Sequence, residues 1–396
     1  MVAAATGTLG DVGNSRPSAP RILQLLPALG DGGVERSAVE MAEYLSARQL
    51  DNWVVSAGGP LVPHVEAAGG RHVTLDVGRK SPVALLSSAW SLARLIDAEK
   101  IDIVHARSRM PAWVALLALR LARRKPAFLT TFHGVYGHRN ALKRFYNSAM
   151  LRGRAVIANS EFIRHHIAEV YGYPDSRIIV APRGIDPALF DPALYSRQSR
   201  DAIRADLGGL PDGPLVVMVG RITGWKGHAV LIDAFARLAA KNARLAIVGG
   251  GVDTAVADLC QRIAALDLGD RVMLTGSRRD IPAILAASDL AISASTLPEA
   301  FGRAAIEAQA MEVPVVATAH GGSLETVMPG VTGWLVPPGD APALAAAMTD
   351  AFSDRERLRA MGRAARAHVM DKFTTATMLD NEFSAYQRVL SPDTAH

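Results

Sequence analysis

Short runs of consecutive apolar residues alternate along this chain with longer stretches whose apolar positions recur every three or four residues. Uninterrupted apolar runs of this length suit strands covered on both faces, and the intervening periodicity suits the helices that cover them. In the first half the pattern predicts strands at Ile22 to Leu26, Trp53 to Ser56, His72 to Leu75, Ile101 to His105, Phe128 to Phe132, Val156 to Ala158 and Ile178 to Val180. It restarts with Leu215 to Val219, Arg244 to Val248, Val272 to Leu274, Leu290 to Ser293, Val315 to Ala317 and Trp334 to Val336. Between the halves, Pro182 to Pro214 holds five prolines and several glycines and reads as a linker and hinge. The expected class is α/β, two tandem doubly wound Rossmann-like domains facing a cleft. The expected parts are a disordered tail over 1–19, a first domain over 20–190, a linker over 191–213, a second domain over 214–372, and a C-terminal segment over 373–396 whose helix returns to the first domain. Sheets of this kind take ligands outside the carboxyl ends of their strands, which makes those loops the place to look for chemistry.

Composition narrows the class without naming an activity. With 49% hydrophobic and 20% charged residues the chain is neither disordered nor fibrous. Its one cysteine, Cys260, can make neither an internal disulfide nor a cysteine-rich metal site, so a reducing, cytoplasmic setting is expected and no metal. The longest apolar stretch, near Met110 to Leu119, is about half of what a membrane-spanning helix needs. Residues 1 to 19 lack the basic and apolar regions of a secretory signal. The formal charge of +5 is too small to argue for nucleic acid. It is unevenly placed, however: Arg120, Arg123, Arg124, Lys125, Arg139, Lys143, Arg144, Arg152 and Arg154 alternate with Trp113, Phe145, Tyr146 and Met150. That cluster reads either as a solvated basic face or as a surface for an anionic membrane or acidic acceptor, and RNA is a poor third since no RNA-recognition motif accompanies it.

Five motifs carry chemical content. Gly30-Asp31-Gly32-Gly33-Val34-Glu35 follows the first strand and precedes a helix. It fails the dinucleotide fingerprint, which needs glycine where Glu35 stands, but leaves helix-terminal amides at Gly32 and Gly33 able to approach an anion. Thr131-Phe132-His133-Gly134 puts an imidazole at a strand end, whereas His165 and His166 read as surface. Val219-Gly220-Arg221-Ile222-Thr223-Gly224-Trp225-Lys226-Gly227 lacks Walker spacing, yet its Arg221 and Lys226 can neutralise a diphosphate. Ile247-Val248-Gly249-Gly250-Gly251 allows a further close backbone approach. In Pro298-Glu299-Ala300-Phe301-Gly302-Arg303-Ala304-Ala305-Ile306-Glu307, a helix start leaves amides near Phe301, Gly302 and Arg303 free for phosphate. Helical spacing would separate Glu299 and Glu307 by roughly 12 Å, one on a sugar and one on a ribose.

This ordered set, from the Gly-Gly loop through His-Gly and Gly-Arg with a downstream Lys to Glu-x7-Glu, resembles the retaining GT-B glycosyltransferases of family four over Arg21 to about Leu390. The opening Gly-Gly-Val-Glu-Arg is similar to that of bacterial envelope-polysaccharide and lipopolysaccharide-core enzymes. The resemblance implies an acceptor-side first domain and a nucleotide-sugar-binding second domain. It implies Arg221 and Lys226 on the donor diphosphate, Glu299 on the donor sugar, Glu307 on the ribose, and His133 beside the sugar near the reacting centre. The Thr275 to Asp280 loop, with Arg278, looks like the segment that cradles the base. Two departures stand out: Glu312 where glycine is common, and Arg183-Gly184-Ile185-Asp186 in place of Asn-Gly-Val-Asp.

The implied activity is transfer of a hexose-like sugar from a UDP- or GDP-type nucleotide sugar to a glycan or glycolipid acceptor such as lipopolysaccharide core. It needs no cofactor and no metal, since no Asp-x-Asp motif is present, and no nucleic acid. The expected place is the cytoplasm, peripheral on the inner face of the cytoplasmic membrane. A non-hydrolysing sugar-nucleotide epimerase, an NAD-dependent oxidoreductase and a non-catalytic nucleotide-sugar-binding protein are the alternatives.

Overall fold

The structure, a computed structural model, describes residues 19–30 and 32–391. The tail expected over 1–19 lies outside these residues but for Ala19, as do Asp31 of the first glycine loop and the last five residues of the expected C-terminal segment. The first sheet contains β1 (Ile22–Leu25), β2 (Asn52–Ser56), β3 (Arg71–Thr74), β4 (Ile103–Ala106), β5 (Ala127–Phe132), β6 (Ala155–Ala158) and β7 (Ile178–Val180). The second contains β8 (Leu215–Val219), β9 (Arg244–Val248), β10 (Val272–Gly276), β11 (Leu290–Ser293), β12 (Val315–Thr318) and β13 (Gly333–Val336). Their orders are β3-β2-β1-β4-β5-β6-β7 and β10-β9-β8-β11-β12-β13. Each order reverses once, between β1 and β4 and between β8 and β11, and such reversals open a crevice at the strand ends. Every strand lies within two residues of its predicted ends.

Contacts divide the chain into two compact units, residues up to 106 with 110–127, and 107–109 with 128 onward. In the first unit β1 pairs in parallel with β2 and β4. Leu26, Leu29 and Val54 there pack with Ala38 and Ala42 of the Gly33–Ala47 helix. In the second unit β8 shows why its sequence is apolar throughout. Val216 and Met218 join Leu231, Ile232 and Phe235 on one face, while Leu215 and Val217 join Ile306, Ala308 and Val313 on the other. None of these is more than 2% exposed. Burying a large aliphatic side chain this completely stabilises by about 1.5 to 3 kcal/mol.

The stretch expected as a linker over 191–213 is instead structured. It carries the Arg197–Asp206 helix, capped by the Ser196 hydroxyl accepting from the Ser199 amide. Arg204 fastens this helix to the second sheet, donating to the carbonyls of Leu210 and Ala287 at 3.0 Å and to Asp289 Oδ2 at 2.8 Å. Leu207 is buried in the core below. Glu312, which stands where glycine is common in the family resembled, takes a left-handed backbone with φ +61°.

The basic cluster does not form one face. Met150 is fully buried, Arg154 reaches the Val389 carbonyl at 2.9 Å, and Arg124 pairs with Asp102. What stays outward on the Ala141–Asn147 helix is Leu142 and Phe145 beside Lys143 and Arg144. His166, expected at the surface, is half-buried against His138 and Tyr171, with ring centroids 5.5 and 5.9 Å away.

After the Arg355–Lys372 helix the chain runs back past residue 185: the Ile185 amide donates to the Phe373 carbonyl at 2.9 Å and the Thr375 amide to the Ile185 carbonyl at 2.8 Å. The Thr375–Leu390 helix then packs on β6 and β7. Its Glu382 receives a two-pronged bond from Arg107, at 2.8 and 3.3 Å, with both side chains at most 2% exposed. Removing one partner of a buried pair leaves an uncompensated charge. Glu382→Ala is therefore expected to cost about 3 to 5 kcal/mol, whereas Arg107→Met with Glu382→Leu recovers most of it. Urea unfolding at constant m-value checks this; a Glu382→Ala loss below about 1 kcal/mol, the range of an exposed pair, would rule out the clamp.

Candidate active site

The reversal between β8 and β11 concentrates the second unit's chemistry. These strands are neighbours, with Leu290 opposite Val216, and their following loops meet. Gly227, at φ +78°, is where they touch: a Cβ there would lie 1.9 Å from the Ala294 carbonyl oxygen. The Thr296 amide donates to the Trp225 carbonyl at 2.7 Å. This contact delivers Lys226 Nζ to Glu299 Oε1 at 2.8 Å, and the Ser295 hydroxyl donates to the same oxygen. Lys226 also lies 4.7 Å from the centre of the Trp225 ring.

A third loop closes on the other side. The Gly322 amide donates to the Glu299 carbonyl at 2.9 Å, and a Cβ on Gly322 would lie 2.3 Å from Phe301 Cα. Residues 298–302 are thus gripped by the loops after β8 and β12. They end at Gly302, which caps the Arg303–Ala310 helix with φ +93°. The first amides of a helix have no partner within it and carry a partial positive charge, the requirements of an anion site. The ring of Phe301 is buried against Phe373, so it is the backbone of that residue that remains for a ligand.

Glu299 lies in the loop before the helix and Glu307 inside it, and helical rise applies only from Arg303 onward. Glu307 instead pairs one turn back with Arg303 at 3.0 Å, which accounts for a carboxylate among apolar neighbours. Arg221 is exposed and carries no ion pair among the described residues. The Arg278 guanidinium is held by Asp280 at 2.6 and 2.8 Å and by Asp206 at 2.8 Å. Those bonds hold the Asp280 carboxyl below the usual range. Gly32 precedes and Gly33 opens a helix of the other unit, where the Glu35 carboxylate folds back to within 2.2 Å of a Cβ placed on Gly32.

His133 follows β5, and short contacts connect it to the gripped loop. The Asn159 amide donates to the His133 carbonyl at 3.3 Å, and the hydroxyl of the next residue, Ser160, donates to the Ala300 carbonyl. Beside these, Glu325 accepts from the amides of Glu161 and Phe162 at 2.8 and 2.6 Å. Burial raises the Glu325 carboxyl, and these two amide bonds partly offset it. Sequence reasoning missed Ser295, Glu325 and His228. The first two act through contacts with residues that the sequence pattern does not connect to them; the third was legible as a histidine directly after Lys226-Gly227. Among the described residues no three His, Cys, Asp or Glu side chains converge into a set that could hold a metal ion.

His228 opens the His228–Arg237 helix at 2% exposure. Burial first, then the Lys226 ammonium, push its imidazole down to about 4, against a smaller opposing pull from the Thr223 and Gly220 backbone. A folded-state value below the unfolded one gives stability that is full above about pH 6.5 and is lost as pH falls toward 4. Between about pH 7.5 and pH 5 the wild type should lose about 2 kcal/mol more than His228→Gln, measured by urea unfolding at each pH. Parallel losses in the two proteins would show that His228 does not sense the drop.

Residues 31–189 match the family described as Glycosyltransferase Family 4, and residues 199–368 that described as Glycosyl transferases group 1. A D-inositol 3-phosphate glycosyltransferase of Kineococcus radiotolerans is 34% identical over 386 residues, 86% of this chain and 87% of its own. A UDP-Gal:alpha-D-GlcNAc-diphosphoundecaprenol alpha-1,3-galactosyltransferase of Escherichia coli is 28% identical over 373 residues, 90% of this chain and 94% of its own. The crystal structure of a glycosyltransferase from Rickettsia africae is similar with a TM-score of 0.87 at 35% identity, covering 95% of this chain and 100% of that one.

Proposed function

The chain belongs to the family-four, group 1 glycosyltransferases of the GT-B fold, and from that premise we propose that it moves a hexose-like sugar, with retention and without a metal, from a nucleoside-diphosphate sugar to a cell-envelope glycan or glycolipid such as lipopolysaccharide core. The observation that carries this reading is the Lys226–Glu299 pair at the β8–β11 reversal, next to the Arg303–Ala310 helix terminus. Lys226 can keep one N–H on Glu299 and give the others to a diphosphate, and Arg221 is free to approach the same group. With the helix amides they stabilise charge that grows on the leaving diphosphate, a role in which fixed donors act strongly. Glu299 orients hydroxyls of the transferred sugar, Glu307 takes the ribose, and His133 stands beside the sugar. The bond from the anomeric carbon to the diphosphate breaks, the acceptor oxygen bonds to the same face, and its proton passes to the departing phosphate oxygen.

Relatives name both kinds of donor, one UDP-Gal and one GDP-mannose, so the proposed donor is a UDP- or GDP-type nucleotide sugar. The UDP-Gal relative acts on a lipid-linked acceptor, which favours work at the inner face of the cytoplasmic membrane. Leu142 at 77% and Phe145 at 59% exposure, beside Lys143 and Arg144, are the surface that would meet anionic headgroups. No helix of the described residues is long and apolar enough to cross a membrane.

Turnover of labelled UDP- and GDP-hexoses with envelope acceptors, run in excess EDTA, tests the reaction, and NMR of the product reads the anomer. Arg221→Ala and Lys226→Ala are each expected to cost roughly 2 to 4 kcal/mol in kcat/KM. Wild-type kcat/KM in both, or activity that vanishes in EDTA and returns with manganese, would overturn the mechanism. Membrane docking is a separate matter. Co-sedimentation with anionic but not neutral vesicles is expected, weakened by salt and by Lys143→Glu with Arg144→Glu. Equal failure to bind either vesicle would point to a soluble acceptor.

A further inference from the structure

Arg183 departs from the Asn-Gly-Val-Asp pattern of the family resembled, and its partner gives it a chemical role. The residue is only 7% exposed. The backbone that carries it is held in place: a Cβ at Gly184 would lie 2.4 Å from the Thr374 carbonyl oxygen, and Ile185 exchanges hydrogen bonds with Phe373 and Thr375. From this anchored position a terminal guanidinium nitrogen of Arg183 reaches His133 Nδ1 at 2.6 Å. A guanidinium has five N–H donors and no acceptor, so the bond has one polarity. Arg183 donates and Nδ1 accepts. An accepting Nδ1 carries no proton, which leaves the ring hydrogen on Nε2.

We propose that Arg183 is a positioning residue that holds His133 as the neutral Nε2–H tautomer, so that His133 offers the transferred sugar a hydrogen-bond donor and not a base. This rests on the placement of His133 beside the sugar under the proposed reaction. An imidazolium would carry a proton on Nδ1 as well, which would break the bond and set two cations against each other. The acceptor's proton then has to leave by another route, which is the departing phosphate oxygen. Other groups hold the neighbourhood rather than the proton. Tyr136 is hydrogen-bonded to the His133 backbone, Arg109 lies 4.4 Å over the Tyr136 ring, and Asn159 holds the His133 carbonyl. An asparagine at position 183 would carry its amide three bonds closer to the backbone than this guanidinium nitrogen, and would be able to accept as well as donate.

The test is the tautomer itself. In protein labelled with 15N-histidine, two-bond proton–nitrogen spectra distinguish the two ring nitrogens, with His133→Gln identifying the signal. The expected result at about pH 7.5 is Nε2–H in the wild type. Arg183→Lys should keep it, because an ammonium also only donates, and Arg183→Met should bring in the Nδ1–H form. Nδ1–H or a doubly protonated ring in the wild type, or a pure Nε2–H ring in Arg183→Met, would overturn the proposal. In the transfer assay Arg183→Met should lower kcat about tenfold with the donor KM within about threefold, and Arg183→Lys should restore most of it. The spectra need no turnover, so a failure to find any sugar transfer would count against the assigned reaction while the tautomer is still read directly.

Discussion

The site depends on one backbone contact, the approach of Gly227 to the Ala294 carbonyl, which no side chain at position 227 would allow. Parallel neighbours β8 and β11 point their carboxyl ends the same way, but their connections leave in opposite directions, so the loops need a reason to meet. That contact supplies it. With the loops touching, Lys226 spans to Glu299, Trp225 offers its carbonyl to Thr296, and Glu299 becomes part of a segment that Gly322 grips from the other side. A loosened contact would separate the cation from the carboxylate and free the peptide run that leads into the Arg303–Ala310 helix. The groups proposed for sugar and diphosphate are therefore one assembly, and substitutions of Lys226 and Glu299 should not behave independently.

Charge at this assembly is balanced in a way that separates the two cations. Lys226 is already engaged by Glu299, while Arg221 is exposed and has no ion pair among the described residues. A diphosphate brings more negative charge than Lys226 alone can offset, so Arg221 is the group whose situation changes most when an anion arrives. His228 is buried next to Lys226 and is kept uncharged chiefly by that burial and further by the ammonium, so it adds no third cation.

The strands were legible in the sequence because both faces of each central strand are buried, and the uninterrupted apolar run this leaves is too short for a covering helix and too apolar for a loop. The Arg197–Asp206 helix was hidden for the opposite reason. None of its side chains is buried, so it has no apolar stripe to read, and it is fastened by Arg204 to carbonyls and to an aspartate 85 residues away. Glu299 and Glu307 were legible as a pair flanking a helix start, but their partners, Lys226 and Arg303, were not. The basic cluster shows the same limit: nearness in sequence does not say which way a side chain faces, and Met150 and Arg154 turn inward. Arg183 was visible as an unusual residue, but its meaning lay in a histidine 50 positions earlier.

The last helix ties the two halves of the sequence together thermodynamically as well as spatially. β6 and β7 come from the first half of the chain, and the helix that covers them, Thr375–Leu390, comes about 200 residues later in the sequence. Arg107, also from the first half, is buried with Glu382 as its carboxylate partner. A buried guanidinium without its carboxylate is costly, so the first half cannot complete its packing until residue 382 has been synthesised. The parallel crossing of residues 184–185 with 373–375 lies on the same route. It adjoins Arg183, so the segment 373–375 helps fix the backbone from which the guanidinium reaches His133. The loop after β5 thus has its His133 ordered by groups far along the sequence, Arg183 directly and residues 373–375 through the backbone that carries Arg183.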